Sequence, residues 1–126
     1  MRICLDGRTA TQHFPGIGRY VSGLAAALAG QLDARDRLQV LTASGQPGHW
    51  GLNLRGTIDR VATGASPFSV RQQWQIPRLL RKHGAEVYHS TFHSMPYRVG
   101  IPTVLTVYDL IPCIFPRFFS RKRSHG

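Results

Sequence analysis

The chain has 126 residues, the size of one ordinary domain, and its composition of 42% hydrophobic and 17% charged residues excludes an intrinsically disordered polypeptide. The net charge of +10 comes from 14 arginines and 2 lysines against 6 acidic residues. This excess favours anionic partners, which include phosphates, nucleic acid and an acidic membrane surface.

The first predicted element is a short buried strand over residues 2–5, which ends at Asp6. Asp6 interrupts the apolar run before the core of a signal peptide could form, and no apolar stretch approaches the length of a transmembrane helix. Cys4 and Cys113 lack zinc-binding spacing, so we expect reduced thiols, no metal and a cytoplasmic protein. Peripheral association with the inner face of the membrane remains an alternative.

A glycine-containing loop leads from this strand into the first helix. Residues 12–18 are rich in turn formers, and an i, i+3, i+4 apolar pattern follows over residues 17–32. Gly16 and Gly18 either only turn the backbone or let an anion approach the free amide groups, an effect that Arg19 would strengthen. The third glycine of a dinucleotide fingerprint and the lysine of a P-loop are both missing, so we expect no bound cofactor.

The remaining elements are two pairs of strands with a helix between the pairs. Strands are predicted at 38–42, 57–62, 86–89 and 102–108, with a surface loop at 44–56. Ser69 and Gln72 have capping-box spacing, so a second helix should begin at Ser69, kink or restart at Pro77 and stop at Gly84. This alternation predicts an α/β fold: a Rossmann-like parallel sheet with flanking helices, in a single domain over residues 1–126.

Polar residues at the predicted strand ends mark a candidate site, because ligands of open parallel sheets bind beyond the carboxyl ends of the strands. Asp6, His89 and Asp109 each follow or end a strand. His89 could be a general base or bind a hydroxylated ligand, as could His93, and either could instead have a structural role. Asp109 could hold its loop or bind a sugar hydroxyl. The two histidines lie in a loop with Pro96, which does not favour a metal site.

Four stretches of the chain resemble the N-terminal domain of retaining family 4 glycosyltransferases, which have two facing Rossmann-like domains (the GT-B fold). They are residues 1–8 (MRICLDGR), 14–20 (FPGIGRY), 85–90 (AEVYHS, followed by Met95 and Pro96) and 102–116 (PTVLTVYDLIPCIFP). The likeness covers nearly the whole chain. It implies an incomplete N-terminal, acceptor-side domain of a GT-B enzyme, truncated at its C-terminal end.

The activity implied by this resemblance is transfer of a hexosyl group from a nucleotide diphosphate sugar to a glycan or lipid-linked acceptor. The chain alone would be inactive, because the donor-binding domain is missing. Catalytic roles are implied for His89 and Asp109. We expect further substrate contacts from Gly16, Gly18, Arg19, His93 and Tyr108.

Two positions depart from the family pattern. Tyr108 and Thr91 stand where the family often has histidines. A different class of function also remains open, a non-catalytic basic α/β module that binds anionic lipid, polysaccharide or nucleic acid. No sequence-specific nucleic-acid site is expected, because the basic residues are mostly scattered. A third alternative is a truncated reading frame whose product has no independent role.

Overall fold

The strands of the chain form a parallel sheet, and two helices connect strands along the sequence. A computed structural model describes residues 1–10, 15–43 and 58–108. The elements, in chain order, are β1 (Arg2–Asp6), α1 (Pro15–Gln31), β2 (Arg37–Ala43), β3 (Ile58–Thr63), α2 (Gln72–Lys82), β4 (Val87–Ser90) and β5 (Thr103–Leu105). The loop predicted at 44–56 lies outside the described residues.

The five strands are all parallel and lie in the order β3-β2-β1-β4-β5. β1 is central, and its residue Leu5 pairs with Val40 of β2 on one side and with His89 of β4 on the other. The connection through α1 moves one way across the sheet and the connection through α2 moves the other way. Because such crossovers are right-handed, the two helices cover opposite faces. The predicted α/β class is confirmed.

Alternate residues of the central strands supply two separate cores. On the α1 face, Leu5, Leu38 and Val40 pack with Val21 and Ala25 of the helix. The core on the opposite face of the sheet includes residues of α2 itself. Its members are Cys4, Leu41, Val61, Ala65, Ile76, Leu80, Ala85, Tyr88 and Val99. Cys4 is a free, buried thiol, as expected for this residue.

The start of α2 differs from the prediction. The helix begins at Gln72, and its N-cap residue, Arg71, makes no side-chain capping bond. Ser69 Oγ donates instead to the carbonyl of Ser66 at 2.7 Å, which closes a turn before the helix. The predicted capping box is therefore wrong, and α2 also continues through Pro77 without restarting.

The end of α2 is a Schellman motif, which is the helix stop predicted at Gly84. Gly84 N–H donates to the carbonyl of Arg81 at 3.2 Å, and Ala85 N–H donates to that of Leu80 at 3.0 Å. Gly84 has φ +66°, a left-handed conformation that favours glycine. This stop places Ala85 in the core and directs the chain into β4.

The last strand is shorter than its β-branched sequence predicts. Pairing ends where Leu105 lies beside Ser90, the final residue of β4, and Thr106 N–H then donates to the Ser90 carbonyl at 3.0 Å. The predicted strand over 102–108 is therefore correct only for Thr103–Leu105. All three residues are exposed, and β5 is an edge strand of the described sheet.

Candidate functional site

The chain reverses direction across the sheet between β1 and β4, and ligands of open α/β sheets bind at such a reversal, beyond the carboxyl ends of the strands. Asp6 ends β1 and pairs in register with Ser90, which ends β4. The loops that follow these two residues therefore border the expected crevice. One half of the crevice lies on the α2 side of the sheet and the other half on the α1 side, and different side chains line the two halves.

The half of the crevice on the α2 side is filled by a buried ion pair. Arg8 and Asp6 are only 2% and 5% exposed. Arg8 donates to the Asp6 carboxylate from Nη2 at 2.7 Å and from Nε at 3.0 and 3.1 Å. The backbone N–H of Arg8 adds a further bond to Asp6 Oδ1 at 3.0 Å. This bidentate geometry is the strongest that a guanidinium and a carboxylate form.

The remaining donors of the guanidinium tie the crevice to the segment before α2. Nη1 donates to the carbonyl of Ala65 at 3.1 Å, and Nη2 donates to Gln72 Oε1 at 3.0 Å. Gln72 Nε2 in turn donates to the carbonyl of Pro67 at 2.8 Å. Burial alone would lower the pKa of Arg8, but the charge and hydrogen bonds of Asp6 outweigh it and the pKa is raised.

Two residues from the β4 side complete the network. The Tyr88 hydroxyl donates to Asp6 Oδ2, and Thr91 Oγ1 donates to the backbone carbonyl of Asp6 at 2.6 Å. Burial, and then the charge of Asp6, raise the pKa of Tyr88, so its hydroxyl keeps its proton. Since these polar groups satisfy one another, this half of the crevice is a structural brace. We call it the Asp6–Arg8 brace.

The half of the crevice on the α1 side contains a chain of polar side chains. His89 lies on the same face of the sheet as Leu5, its register partner. Its Nε2 atom is 2.7 Å from Thr106 Oγ1, and Thr106 Oγ1 is 3.0 Å from the hydroxyl of Tyr20 on α1. The ring of Tyr108 packs edge-on against Tyr20, with 5.6 Å between the ring centroids. We call Tyr20, Thr106 and His89 the polar chain.

The polar chain can exchange hydrogen bonds with a hydroxylated ligand. Burial lowers the pKa of the half-buried His89, which favours the neutral imidazole at neutral pH. Among the described residues, only Nε2 of this ring forms a hydrogen bond, so Nδ1 can accept or donate another according to the tautomer. A neutral imidazole beside two hydroxyls is suited to binding alcohols, and it places no fixed charge in the site.

The N-terminus of α1 borders the same half of the crevice. The helix begins at Pro15 and has no acidic residue in its first turn. A Cβ atom added to Gly16 or Gly18 would meet nothing within 4 Å, and neither glycine has a positive φ. Neither packing nor backbone conformation therefore requires glycine at these positions. Among the described residues, the first turn of α1 is therefore open at these two glycines, and Arg19 beside them is exposed. The amide groups of a helix start attract anions.

The structure brings together some of the predicted site residues and separates others. His89 and Tyr108 lie in or beside the polar chain, and the α1 glycines are close to Tyr20 in the chain. His93 stacks instead on Phe92, with 4.2 Å between the ring centroids, and Phe92 contacts the segment before α2. These contacts place His93 with that segment and not with His89. Asp109 lies outside the described residues.

The sequence reasoning missed most of the partners that organise the crevice. Arg8, Gln72 and Tyr88 of the brace were not identified, nor were Tyr20 and Thr106 of the polar chain. The one local signal was the Asp6-Gly7-Arg8 spacing, which puts opposite charges two residues apart after a buried strand. The other partners are distant in the chain.

The described residues contain neither a metal-binding cluster nor a membrane-spanning helix, and the comparisons with known proteins found no significant match. Residues 1–10, 15–43 and 58–108 include no group of three histidine, cysteine or acidic residues that could hold a metal ion. No helix in those ranges is long and apolar enough to cross a membrane. No protein-family model matches the chain, and comparisons with curated proteins and with solved structures found no significant match.

Proposed function

We propose that this chain forms the acceptor-side wall of a glycosyltransferase of the GT-B type. The reaction would transfer a hexosyl group from a nucleotide diphosphate sugar to a hydroxyl of a glycan or lipid-linked acceptor. The observation that carries the proposal is the polar chain of Tyr20, Thr106 and His89 at the carboxyl edge of a parallel sheet. The motifs that resemble family 4 glycosyltransferases include or border these residues.

In this proposal the acceptor hydroxyl binds to the polar chain. The neutral His89 offers a ring nitrogen to that hydroxyl, and the exposed ring of Tyr108 offers an apolar surface for the sugar ring. A new bond forms from the acceptor oxygen to the anomeric carbon while the bond from that carbon to the diphosphate breaks. The proton of the acceptor passes to the departing diphosphate, so the wall needs no strong base.

The donor would approach from the α1 side of the crevice. The open space at Gly16 and Gly18 lets a diphosphate reach the amide groups at the helix start, and Arg19 adds a positive charge. Stabilising the leaving diphosphate is a major electrostatic contribution to a transfer of this kind. Most of the donor contacts would come from a second, donor-binding domain that faces this wall.

An NMR titration of the purified, isotope-labelled chain tests the acceptor wall. The probes are methyl hexosides, disaccharides and a short-chain prenyl diphosphate sugar, followed by UDP-, GDP- and ADP-hexoses. We expect at least one acceptor to shift the resonances of His89 and Thr106. H89Q should weaken its binding about tenfold, because one hydrogen bond to the ligand is lost.

H93Q is the matched control, since His93 lies with the segment before α2, and it should leave acceptor binding unchanged. If no probe shifts the polar chain, the acceptor-wall proposal is wrong and a non-catalytic basic module is favoured. Formation of a transfer product by the chain alone would contradict a different part of the proposal, the need for a second domain.

A further inference from the structure

The outer face of α2 carries a row of cations that have no acidic partner among the described residues. Its inner face is buried through Gln72, Ile76, Pro77 and Leu80. Positions seven apart on a helix lie on the same side, so Arg71 and Arg78 are aligned, and Lys82 follows one turn later. All three are exposed, as is Arg81.

Helix stability accounts for only part of this row. Arg81 and Lys82 are in the last turn, where cations interact favourably with the helix dipole. Arg71 and Arg78 lie too far from that end to contribute in this way. α2 contains no acidic residue, and the two ion pairs found in the described residues, Asp6 with Arg8 and Asp36 with the N-terminus, do not involve these cations. Within the described part of the chain, Arg71 and the three cations on α2 therefore have no carboxylate to compensate their charge.

Large apolar side chains are exposed beside the same cations. Trp74 lies among them on α2 and is 56% exposed, and Val70 and Phe68 just before the helix are 76% and 63% exposed. Tyr97 is 87% exposed, and its N–H donates to Gln73 Oε1 at 3.0 Å, which places it beside the first turn. The N-terminal end of α2 thus forms an apolar and aromatic tip, and the cations continue along the helix.

We propose that this face, defined by Phe68, Val70, Trp74 and Tyr97 with the cations Arg71, Arg78, Arg81 and Lys82, docks on an anionic membrane surface. Tryptophan and tyrosine are the residues that favour the headgroup region, and lysine and arginine are attracted to anionic lipids. The charge of the face is complementary to such a surface. The proposal is independent of the sugar-transfer reaction.

A polynucleotide fits the observations less well. Proteins that bind single strands use a basic groove in which aromatic rings stack on bases. The face here is the convex outer side of a helix, and Val70, its most exposed aliphatic side chain, has no ring to stack. An apolar tip inserted among lipid headgroups, with the cations lying on the phosphates, accounts for both kinds of residue.

Vesicle co-sedimentation measures the docking directly. The wild-type chain should bind vesicles of phosphatidylcholine and phosphatidylglycerol but not pure phosphatidylcholine. R78Q/K82Q removes two cations of the face and should weaken binding about 25-fold, at about fivefold, or about 1 kcal/mol, for each cation. The control R35Q/R60Q removes the same net charge, and Arg60 pairs in register with Val40 of the α1-side core, on the opposite face. We expect the control to change binding about twofold at most.

Fluorescence then tests whether Trp74 reaches the lipid. In a W50F background Trp74 is the one tryptophan, and its emission should shift to the blue with anionic vesicles. W74A should weaken binding without a change in helix content by circular dichroism. Equal loss in the two double variants, or no blue shift, would overturn the proposal. So would tighter binding of a single-stranded oligonucleotide than of vesicles at the same salt concentration, with quenching of Trp74.

Discussion

Replacing Arg8 by methionine tests whether the Asp6–Arg8 brace holds the carboxyl edge of the sheet together. The substitution keeps most of the side-chain volume but removes the donors to Asp6, Ala65 and Gln72. Asp6 would stay buried and charged, with only the Tyr88 hydroxyl and one backbone N–H as partners. Removing one partner of a buried ion pair lowers the free energy of unfolding by about 3–5 kcal/mol.

Urea denaturation followed by circular dichroism measures this loss. R35M is the control, since Arg35 is exposed, and it should change the free energy of unfolding by about 0.5 kcal/mol or less. Because small domains have only about 5–15 kcal/mol of stability, R8M could fail to accumulate in folded form. The variant D6N/R8M covers that outcome: it leaves no unpaired charge and should be more stable than R8M by at least about 1 kcal/mol. The brace would be refuted if R8M lowered the free energy of unfolding by less than about 1 kcal/mol, or if D6N/R8M were no more stable than R8M.

Three further predictions concern single groups. G84A should lower the free energy of unfolding by about 1–2 kcal/mol, because φ is +66° and the new Cβ would lie 2.7 Å from Arg2 Nη1. The control G23A, inside α1, should raise the free energy of unfolding by about 0.5–1 kcal/mol in the same denaturation assay. Burial raises the pKa of Cys4 to about 12, so in a C113S background its thiol should resist a disulfide reagent at pH 8 until urea unfolds the chain, and rapid labelling of the native protein would contradict this. An NMR titration of His89 should give a pKa below 6.5, because burial lowers it. The folded state then holds fewer protons than the unfolded state, so the contribution of His89 to stability is present above pH 6.5 and declines as the pH falls. A midpoint at or above 6.5 would contradict the burial argument.

Elements defined by local apolar patterns could be predicted from the sequence. β1, β2 and α1 each have a run or a periodicity that a buried face requires, and the structure has them within a few residues of the predicted bounds. The Schellman stop at Gly84 was also predictable, because a glycine after a basic last turn is a local signal. The parallel direction of the strands, though not their order in the sheet, followed from the alternation of strands and helices.

Boundaries that depend on distant residues were not predictable. Gln72 has the spacing of a capping box with Ser69, yet its side chain accepts from Arg8, 64 positions earlier, and Ser69 is used in a local turn. β5 ends because β4 has no further residue to pair with, which β-propensity cannot reveal. In each case a tertiary partner decided the outcome.

The candidate site shows the same division. Asp6 and His89 could be located from their positions at strand ends, but their roles differ because their partners differ. Asp6 is neutralised by a buried guanidinium. His89 is hydrogen-bonded to a threonine 17 positions later, and its other ring nitrogen has no partner within the described ranges. No pattern within either strand distinguishes a structural carboxylate from a ligand-binding imidazole.

The central position of β1 also determines when the fold can be completed during synthesis. β1 is made before the other strands of the described sheet, yet one of its edges stays open until Val87–Ser90 exists to pair with it. The acceptors of Arg8 at Ala65 and Gln72 are also made late. A nascent chain that has not reached β4 therefore presents an apolar strand with a free edge, which favours pairing with other chains. A nascent chain stopped before β4 should accordingly aggregate more readily than a chain in which β4 has paired with β1.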